Sequence, residues 1–340
     1  MASENSTTSI SAQPGDKTAN MINREGYVWC SLFVAEAVLV IVLNISTIFV
    51  FIKNRRLRRR STYLLINLSV TDICIGAFVI PTSVFRRGNT YKLWSVEMTY
   101  KWYISTYGID TFFFGCSLVF LVSISIERLH ATRNPFRHRL LSGSTYKKWI
   151  AGVWVASVIY TSITVSSFHF KLFGLYIWYV VAGCVLVSIL ILCASYIAIY
   201  VTVRCSKQPE QITHHARKER KLTVTLSIVT VVSLTVWLPY VLFTFLELKL
   251  IQMLSEEGLL RVRSVCEVLF FANSFVNPIL YTIRISEFRR AFCSLLVSKS
   301  LHSDMNSCNI RIHLTAFEIR KSAKKQCSFQ DFLHWGPQDP

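Results

Sequence analysis

Charged residues are scarce in this chain. Asp, Glu, Lys and Arg make up only 16% of its 340 residues, whereas hydrophobic residues make up 52% and the mean hydropathy is +0.41. Soluble domains carry about 25% charged residues. The composition therefore excludes an ordinary soluble domain and indicates an integral membrane protein.

Several functional signatures are missing as well. The ten cysteines form no CxxC pair and mostly lie inside apolar runs, so neither a zinc site nor a disulfide framework is indicated. No Ser/His/Asp or metal constellation surrounds His214 and His215, and we do not expect an enzyme. No internal repeat relates the two halves, which counts against the alternative of a seven-helix transporter or channel.

Long apolar runs are present instead. Seven stretches are long enough to span a bilayer, at about 28–53, 61–86, 97–131, 146–169, 174–204, 216–249 and 257–283. These runs predict an all-α fold, a seven-transmembrane helix bundle that occupies residues 28–283.

Basic residues set the expected topology. The net charge of +18 comes from short Lys and Arg clusters that follow the first, third and fifth runs, with no basic domain for nucleic acid. By the positive-inside rule, these connections and the C-terminus lie in the cytoplasm of a multi-pass plasma-membrane protein. Arg86, Arg87, Lys92, Arg261 and Arg263 are exceptions on the outer side.

The two ends of the chain read differently from the bundle. Residues 1–27 show no signal-peptide pattern and predict an extracellular tail, in which Asn5 begins a glycosylation sequon. Residues 284–300 have apolar residues at helical spacing, which predicts a short amphipathic helix 8 at the lipid surface with Cys293 placed for palmitoylation. Residues 301–340 read as a polar cytoplasmic tail.

The third run carries an unusual stripe of polar residues. Eighteen residues, about five helical turns or roughly 27 Å, separate Asp110 from Arg128, and Ser117 falls between them on the same face. Charges inside a membrane are costly and usually face a bundle interior or a cavity. We therefore interpret this stripe as a functional site that needs partners on other helices.

Six residues and short motifs resemble those of a known family. They are Asn44, Leu68-x-x-x-Asp72, Glu127-Arg128-Leu129, Trp154, Trp237-Leu238-Pro239 and Asn277-Pro278-Ile279-Leu280-Tyr281. In this order, each on its expected helix, they resemble the rhodopsin-like (class A) G-protein-coupled receptors. The resemblance covers the chain except for its two tails.

The resemblance implies an activation switch that acts on a heterotrimeric G protein and also on arrestin. Arg128 would be held by Glu127 and by Glu219 at the start of the sixth helix, a lock that an agonist releases. Pro239 would provide a hinge, and Tyr196 and Tyr281 would bridge in the active state.

The family also has an allosteric sodium site, and the oxygen-bearing residues for such a site are present. A hard cation favours several oxygen ligands with one or two carboxylates. The expected ligands are Asp72, Ser117, Asn273, Ser274 and Asn277. No other cofactor is expected. Retinal is excluded because Phe271 stands where opsins have their lysine, and the seventh run has no lysine.

Asp110 occupies the position at which amine receptors hold an ammonium group. Its expected neighbours in a ligand site are Tyr107, Trp237, Tyr240, Glu267 and Phe271. The ligand favoured by this resemblance is a small cation like a biogenic amine.

Other features favour a different ligand. Tyr103 replaces the usual third-helix cysteine, the short second outer connection has no cysteine, and Ser188 replaces the fifth-helix proline. These losses resemble the melanocortin, cannabinoid and lysophospholipid receptors, which implies a peptide or lipid ligand. Both possibilities stay open from the sequence.

Overall fold

The computed structural model describes residues 14–54, 57, 60–170, 176–205 and 214–296. Within these residues the chain forms ten α-helices, one π-helical turn and no strand. The helices are α1 (Pro14–Lys53), α2 (Thr62–Cys74), α3 (Ile80–Thr90), α4 (Tyr100–Arg133), α5 (Pro135–Leu140), α6 (Gly143–His169), α7 (Tyr176–Cys205), α8 (His214–Met253), α9 (Glu256–Arg284) and α10 (Ser286–Leu296). The chain divides into two units after Arg289, and of the second unit only the end of α10 is described.

The predicted all-α fold is confirmed, with local differences. α1 begins at Pro14, so part of the segment predicted as a tail is helical. The short helix α5 lies in the connection after the third run, where no helix is expected from hydropathy because three basic residues interrupt this six-residue segment. Asn5 and the tail from 301 lie outside the described residues.

Five helical segments in the described part of the chain are long and apolar enough to cross a membrane. A sixth is added if α9 and the following helix are counted as one bent span, and α8 has a shorter apolar stretch, Val231–Glu247. The first half of α9 carries acidic and basic residues, whereas its second half is mostly apolar. Two of those charged residues, Arg263 and Glu267, line the cavity described below.

The helix α4 is central to the bundle. It contacts α2, α6, α7 and α8, and most of its buried residues lie between Gly115 and Arg128. Thr99 caps its first turn, where the hydroxyl oxygen accepts a hydrogen bond from the Trp102 backbone N–H at 3.3 Å. The apolar core beside α4 joins α1, α3 and α9 through the cluster of Phe33, Ala37, Val40, Ile75, Val79, Ile80 and Phe271.

The second predicted run is not a continuous α-helix. A π-helical turn at Ile75–Val79 separates α2 from α3, and Pro81 lies in the first turn of α3, where a missing N–H costs least. A π turn contains one extra residue, which rotates all that follows by about 100° relative to an unbroken α-helix. The face of α3 that carries Ser83 and Arg86 thereby lines a cavity in the bundle.

The α3–α4 connection packs tightly against α3. The buried Gly88 lies under the indole ring of Trp94, and Trp94 Nε1 donates a hydrogen bond to the Phe85 carbonyl oxygen at 3.1 Å. A Cβ on residue 88 would come within 1.9 Å of the Trp94 ring. The glycine is therefore required by a close approach of a side chain.

We predict that Gly88→Ala destabilises the protein by about 1–3 kcal/mol, the usual cost of overpacking. The melting temperature of the purified protein should fall accordingly. Gly152→Ala in α6 is the matched control, because a Cβ there meets no atom within 4 Å. Equal melting temperatures for the two variants would show that the Trp94 ring can move aside for a Cβ at residue 88 without a loss of stability.

Candidate functional site

A cavity of about 290 Å³ lies inside the bundle between α3, α4, α6, α7, α8 and α9. All six residues that the sequence predicts around a ligand line it, namely Tyr107, Asp110, Trp237, Tyr240, Glu267 and Phe271. The structure thus brings together side chains from three helices that are distant in sequence. Their role in binding stays a prediction.

Aromatic rings form one wall of the cavity. The ring of Phe270 lies 4.4 Å from that of Tyr240 and 6.0 Å from that of Trp237, measured between centroids. Phe114 contacts Phe270 from α4. This wall suits an apolar or aromatic ligand body.

Asp110 already has a cationic partner within the protein. Arg86 Nη2 lies 2.7 Å from Asp110 Oδ2 and also donates a hydrogen bond to Ser83 Oγ at 2.9 Å. The pair is partly accessible from the cavity, with 29% of the Arg86 side chain and 17% of the Asp110 side chain exposed. An arginine from α3 thus stands where an amine ligand would be expected.

Glu267 is likewise neutralised by arginines. It accepts from the buried Arg87 and lies 3.4 Å from Arg263 Nε. Arg263 in turn lies 3.6 Å from Glu247 in α8. The sequence predicted Glu267 as a ligand-site residue but did not reveal these arginine partners.

The missed arginines had a signal in the sequence. Arg86, Arg87 and Arg263 are exceptions to the clustering of basic residues on the predicted inner side. Basic residues that break this pattern near an apolar helix end require a buried acid or a polar lining. Spacing alone could not find the pairs, because the π turn sets the direction in which α3 presents Arg86.

The predicted sodium ligands are all buried in the interior, namely Asp72, Ser117, Asn273, Ser274 and Asn277. The contact between Asn277 Nδ2 and Asp72 Oδ2 is long, at 3.4 Å. Among the described residues, four oxygens of this group have no hydrogen-bond partner: Asp72 Oδ1, Ser117 Oγ, Asn273 Oδ1 and Asn277 Oδ1. Buried oxygens without partners are expensive, and this donor set fits a hard cation.

The other end of α4 carries a buried acid–base cluster. Arg128 is fully buried, and its Nε and Nη2 donate to Glu127 Oε2 and Oε1 at 2.5 and 2.6 Å. The Tyr146 hydroxyl donates to Glu127 Oε1 at 2.8 Å, and His138 Nε2 lies 2.7 Å from the same oxygen. The sequence predicted the pair but missed His138 and Tyr146, which come from α5 and the start of α6.

The remaining predicted switch residues have varied surroundings. Tyr281 is buried against the rings of Phe51 and Phe288, and Tyr196 packs with Leu192 and Ile199. Pro239 lies inside α8. The side chain of Glu219, the predicted second partner of Arg128, lies outside the described residues.

The Arg86–Asp110 pair can be tested by a double-mutant cycle on melting temperature. Arg86→Gln and Asp110→Asn should each destabilise the purified protein, because each leaves a partly buried charge alone. The double variant should lose less than the sum, with a coupling free energy of about 0.5–3 kcal/mol.

A matched cycle on Arg261 and Glu25 serves as the control. Their atoms lie 2.7 Å apart, but the side chains are 45% and 31% exposed. Exposed pairs couple by less than about 1 kcal/mol. Equal coupling in the two cycles would contradict a special role for the cavity pair.

Comparison with known proteins agrees with this arrangement. A family model described as "7 transmembrane receptor (rhodopsin family)" matches residues 43–281. Curated relatives include the substance-K receptor of dog, 22% identical over 85% of this chain and 79% of the relative, and the histamine H2 receptor of guinea pig, 27% identical over 73% of this chain and 75% of the relative. Together with the seven helical runs and the buried Glu127–Arg128 pair, the match over most of the chain shows that this protein belongs to the rhodopsin family of G-protein-coupled receptors.

Proposed function

We propose that this receptor binds a small extracellular ligand in the cavity beside Asp110 and passes that signal to a heterotrimeric G protein at Arg128. The observation that supports this proposal best is the cavity itself, which is walled by aromatic rings and contains partly buried charges. The distribution of basic residues supports an orientation in which the Asp110 end faces outward and the N-terminus is outside.

The size of the cavity favours a small ligand. Its volume of about 290 Å³ lies at the lower end of the range for small-molecule sites, roughly 300–1,000 Å³. A long lipid chain would need more room, and a peptide could place only a terminal residue there. The similarity to histamine H2 receptors supports a small amine ligand, whereas the similarity to substance-K receptors supports a peptide ligand.

The transmission route follows α8 from the cavity towards the inner side. Trp237 lines the cavity, and Pro239 two residues away interrupts the hydrogen-bond ladder of α8. A ligand that favours one of two arrangements of α8 shifts the equilibrium by its difference in affinity for them. Movement of the inner end of α8 would open the region around Arg128 to a G protein or to arrestin.

Three further assignments complete the proposal. α10 would lie at the inner lipid surface, where Cys293 carries a palmitoyl group, and Asn5 carries a glycan on the outer side. Sodium bound by Asp72 and the oxygens around it would supply positive charge to an otherwise uncompensated buried carboxylate.

We predict that Tyr146→Phe raises basal nucleotide exchange on a G protein. The change removes a hydrogen bond to a charged carboxylate, worth about 1.5–3 kcal/mol, from the arrangement that holds Arg128. The ratio of active to resting receptor should rise on the order of tenfold. Exchange is measured in membranes that contain equal amounts of each receptor.

Tyr63→Phe is the control, since this tyrosine in α2 is 46% exposed. It should leave basal exchange unchanged. If Tyr146→Phe leaves basal exchange unchanged, as Tyr63→Phe should, the cluster around Glu127 does not stabilise the resting state of the receptor.

Sodium binding can be measured without a known ligand. The purified receptor should melt at a higher temperature in sodium chloride than in N-methylglucamine chloride of equal ionic strength, because the ion binds only the folded state. Asp72→Asn should abolish the difference. Glu36→Gln, which changes another acid within a membrane span, should retain it. A sodium effect that persists in Asp72→Asn would place the ion elsewhere.

A further inference from the structure

The charges around the cavity balance one another. On the described helices, three guanidinium groups and three carboxylates lie on or beside the lining and form ion pairs: Arg86 with Asp110, Arg87 and Arg263 with Glu267, and Arg263 with Glu247. Each carboxylate has at least one arginine within 4.0 Å. Four of these groups line the cavity itself, namely Arg86, Asp110, Arg263 and Glu267, so the described lining is rich in charge but has no net charge.

A ligand with a single charge fits this lining poorly. An ammonium group that takes the place of Arg86 beside Asp110 leaves the guanidinium without its partner in a partly buried site. A carboxylate that takes Arg86 leaves Asp110 alone in the same way. Breaking one partner from a buried pair is costly, because the remaining charge stays desolvated.

A ligand that carries both charges avoids this cost. Its ammonium group can meet Asp110 while its carboxylate meets Arg86, so one internal pair is replaced by two pairs with the ligand. Arg86 Nη2 and Asp110 Oδ2 are only 2.7 Å apart, so the two ligand groups must also lie close together. Attachment to the same carbon atom meets that condition.

The aromatic wall identifies the remainder of the ligand. Phe114, Tyr240 and Phe270 form a continuous set of rings on one side of the cavity, and Arg86 and Asp110 lie on its lining as well. A cavity of about 290 Å³ has room for a polar head and one ring or one branched apolar group.

We propose that the cavity recognises a small zwitterion of the α-amino-acid type with an aromatic or apolar side chain. This inference rests on the proposed function, namely that the cavity is the ligand site. It names the class of ligand, and it differs from both an amine without an acid group and a lipid.

The test uses four probes that share one ring: L-tyrosine, tyramine, 3-(4-hydroxyphenyl)propionate and L-tyrosinamide. They present both charges, the ammonium alone, the carboxylate alone, and the ammonium with a neutral amide. The corresponding sets built on phenylalanine, tryptophan, histidine and leucine vary the apolar body. Each probe is added at millimolar concentration, and both the melting temperature of the purified receptor and nucleotide exchange on a G protein are measured.

At least one zwitterion should stabilise the receptor more than its three matched analogues, by roughly tenfold or more in apparent affinity, which corresponds to the loss of one hydrogen bond to a charged group. Arg86→Gln should change this preference: the zwitterion should lose its advantage, and the matching amine should gain affinity because Asp110 no longer has an internal partner. Arg261→Gln is the control, since Arg261 lies at the same end of the bundle but not on the cavity lining, and it should keep the wild-type preference.

Several outcomes would overturn the zwitterion. One is that an amine or an acid binds wild-type receptor as well as its matched zwitterion does. Another is that the Arg86→Gln variant keeps the wild-type preference among the probes. The third is that no zwitterion in the sets binds at all. The cavity itself is tested separately by Val241→Trp, which places a large ring on its lining. If a probe that binds wild-type receptor binds this variant equally well, the proposed ligand site is wrong whatever the charge of the probe.

Discussion

The cost of placing charge away from water governs this structure more than any other constraint. Asp110 and Glu267 at one end of the bundle and Glu127 with Arg128 at the other are all largely removed from solvent, and each has an oppositely charged partner. Because the partners of the two cavity acids come from a different helix, the pairs also fix how α3 lies against α4 and α9. Packing of apolar side chains alone would leave those helices free to slide, since lipid is as apolar as leucine.

The charged groups at the two ends of α4 have different surroundings. At Arg128 the carboxylate of Glu127 is supported by Tyr146 and His138, so the arginine depends on a connection between helices as well as on α4. At Asp110 the pair faces a cavity with an aromatic wall. The first arrangement suits a switch read by a large partner on the inner side, and the second suits exchange of an internal partner for a ligand. α4 carries both, about five turns apart.

Much of this arrangement could be read from the sequence, and the failures have physical causes. Apolar runs gave the helices, and helical spacing placed Asp110, Ser117 and Arg128 on one face, since both signals are local. The partners Arg86 and Tyr146 were missed because they depend on tertiary contacts between distant segments. The π turn at Ile75–Val79 has no simple residue signature, so the direction of Arg86 could not be derived from helical periodicity. α1 extends beyond its apolar run because helix formation does not require hydrophobic residues where the helix leaves the membrane.

That π turn has an evolutionary consequence. Removal of a single codon within Ile75–Val79 would restore ordinary helical winding and rotate the outer part of the second span by about 100°. Arg86 would then leave the cavity, and Asp110 would be available to a simple cation. Gain or loss of one residue, without any substitution in the lining, could thus convert a receptor of this architecture from one chemical class of messenger to another.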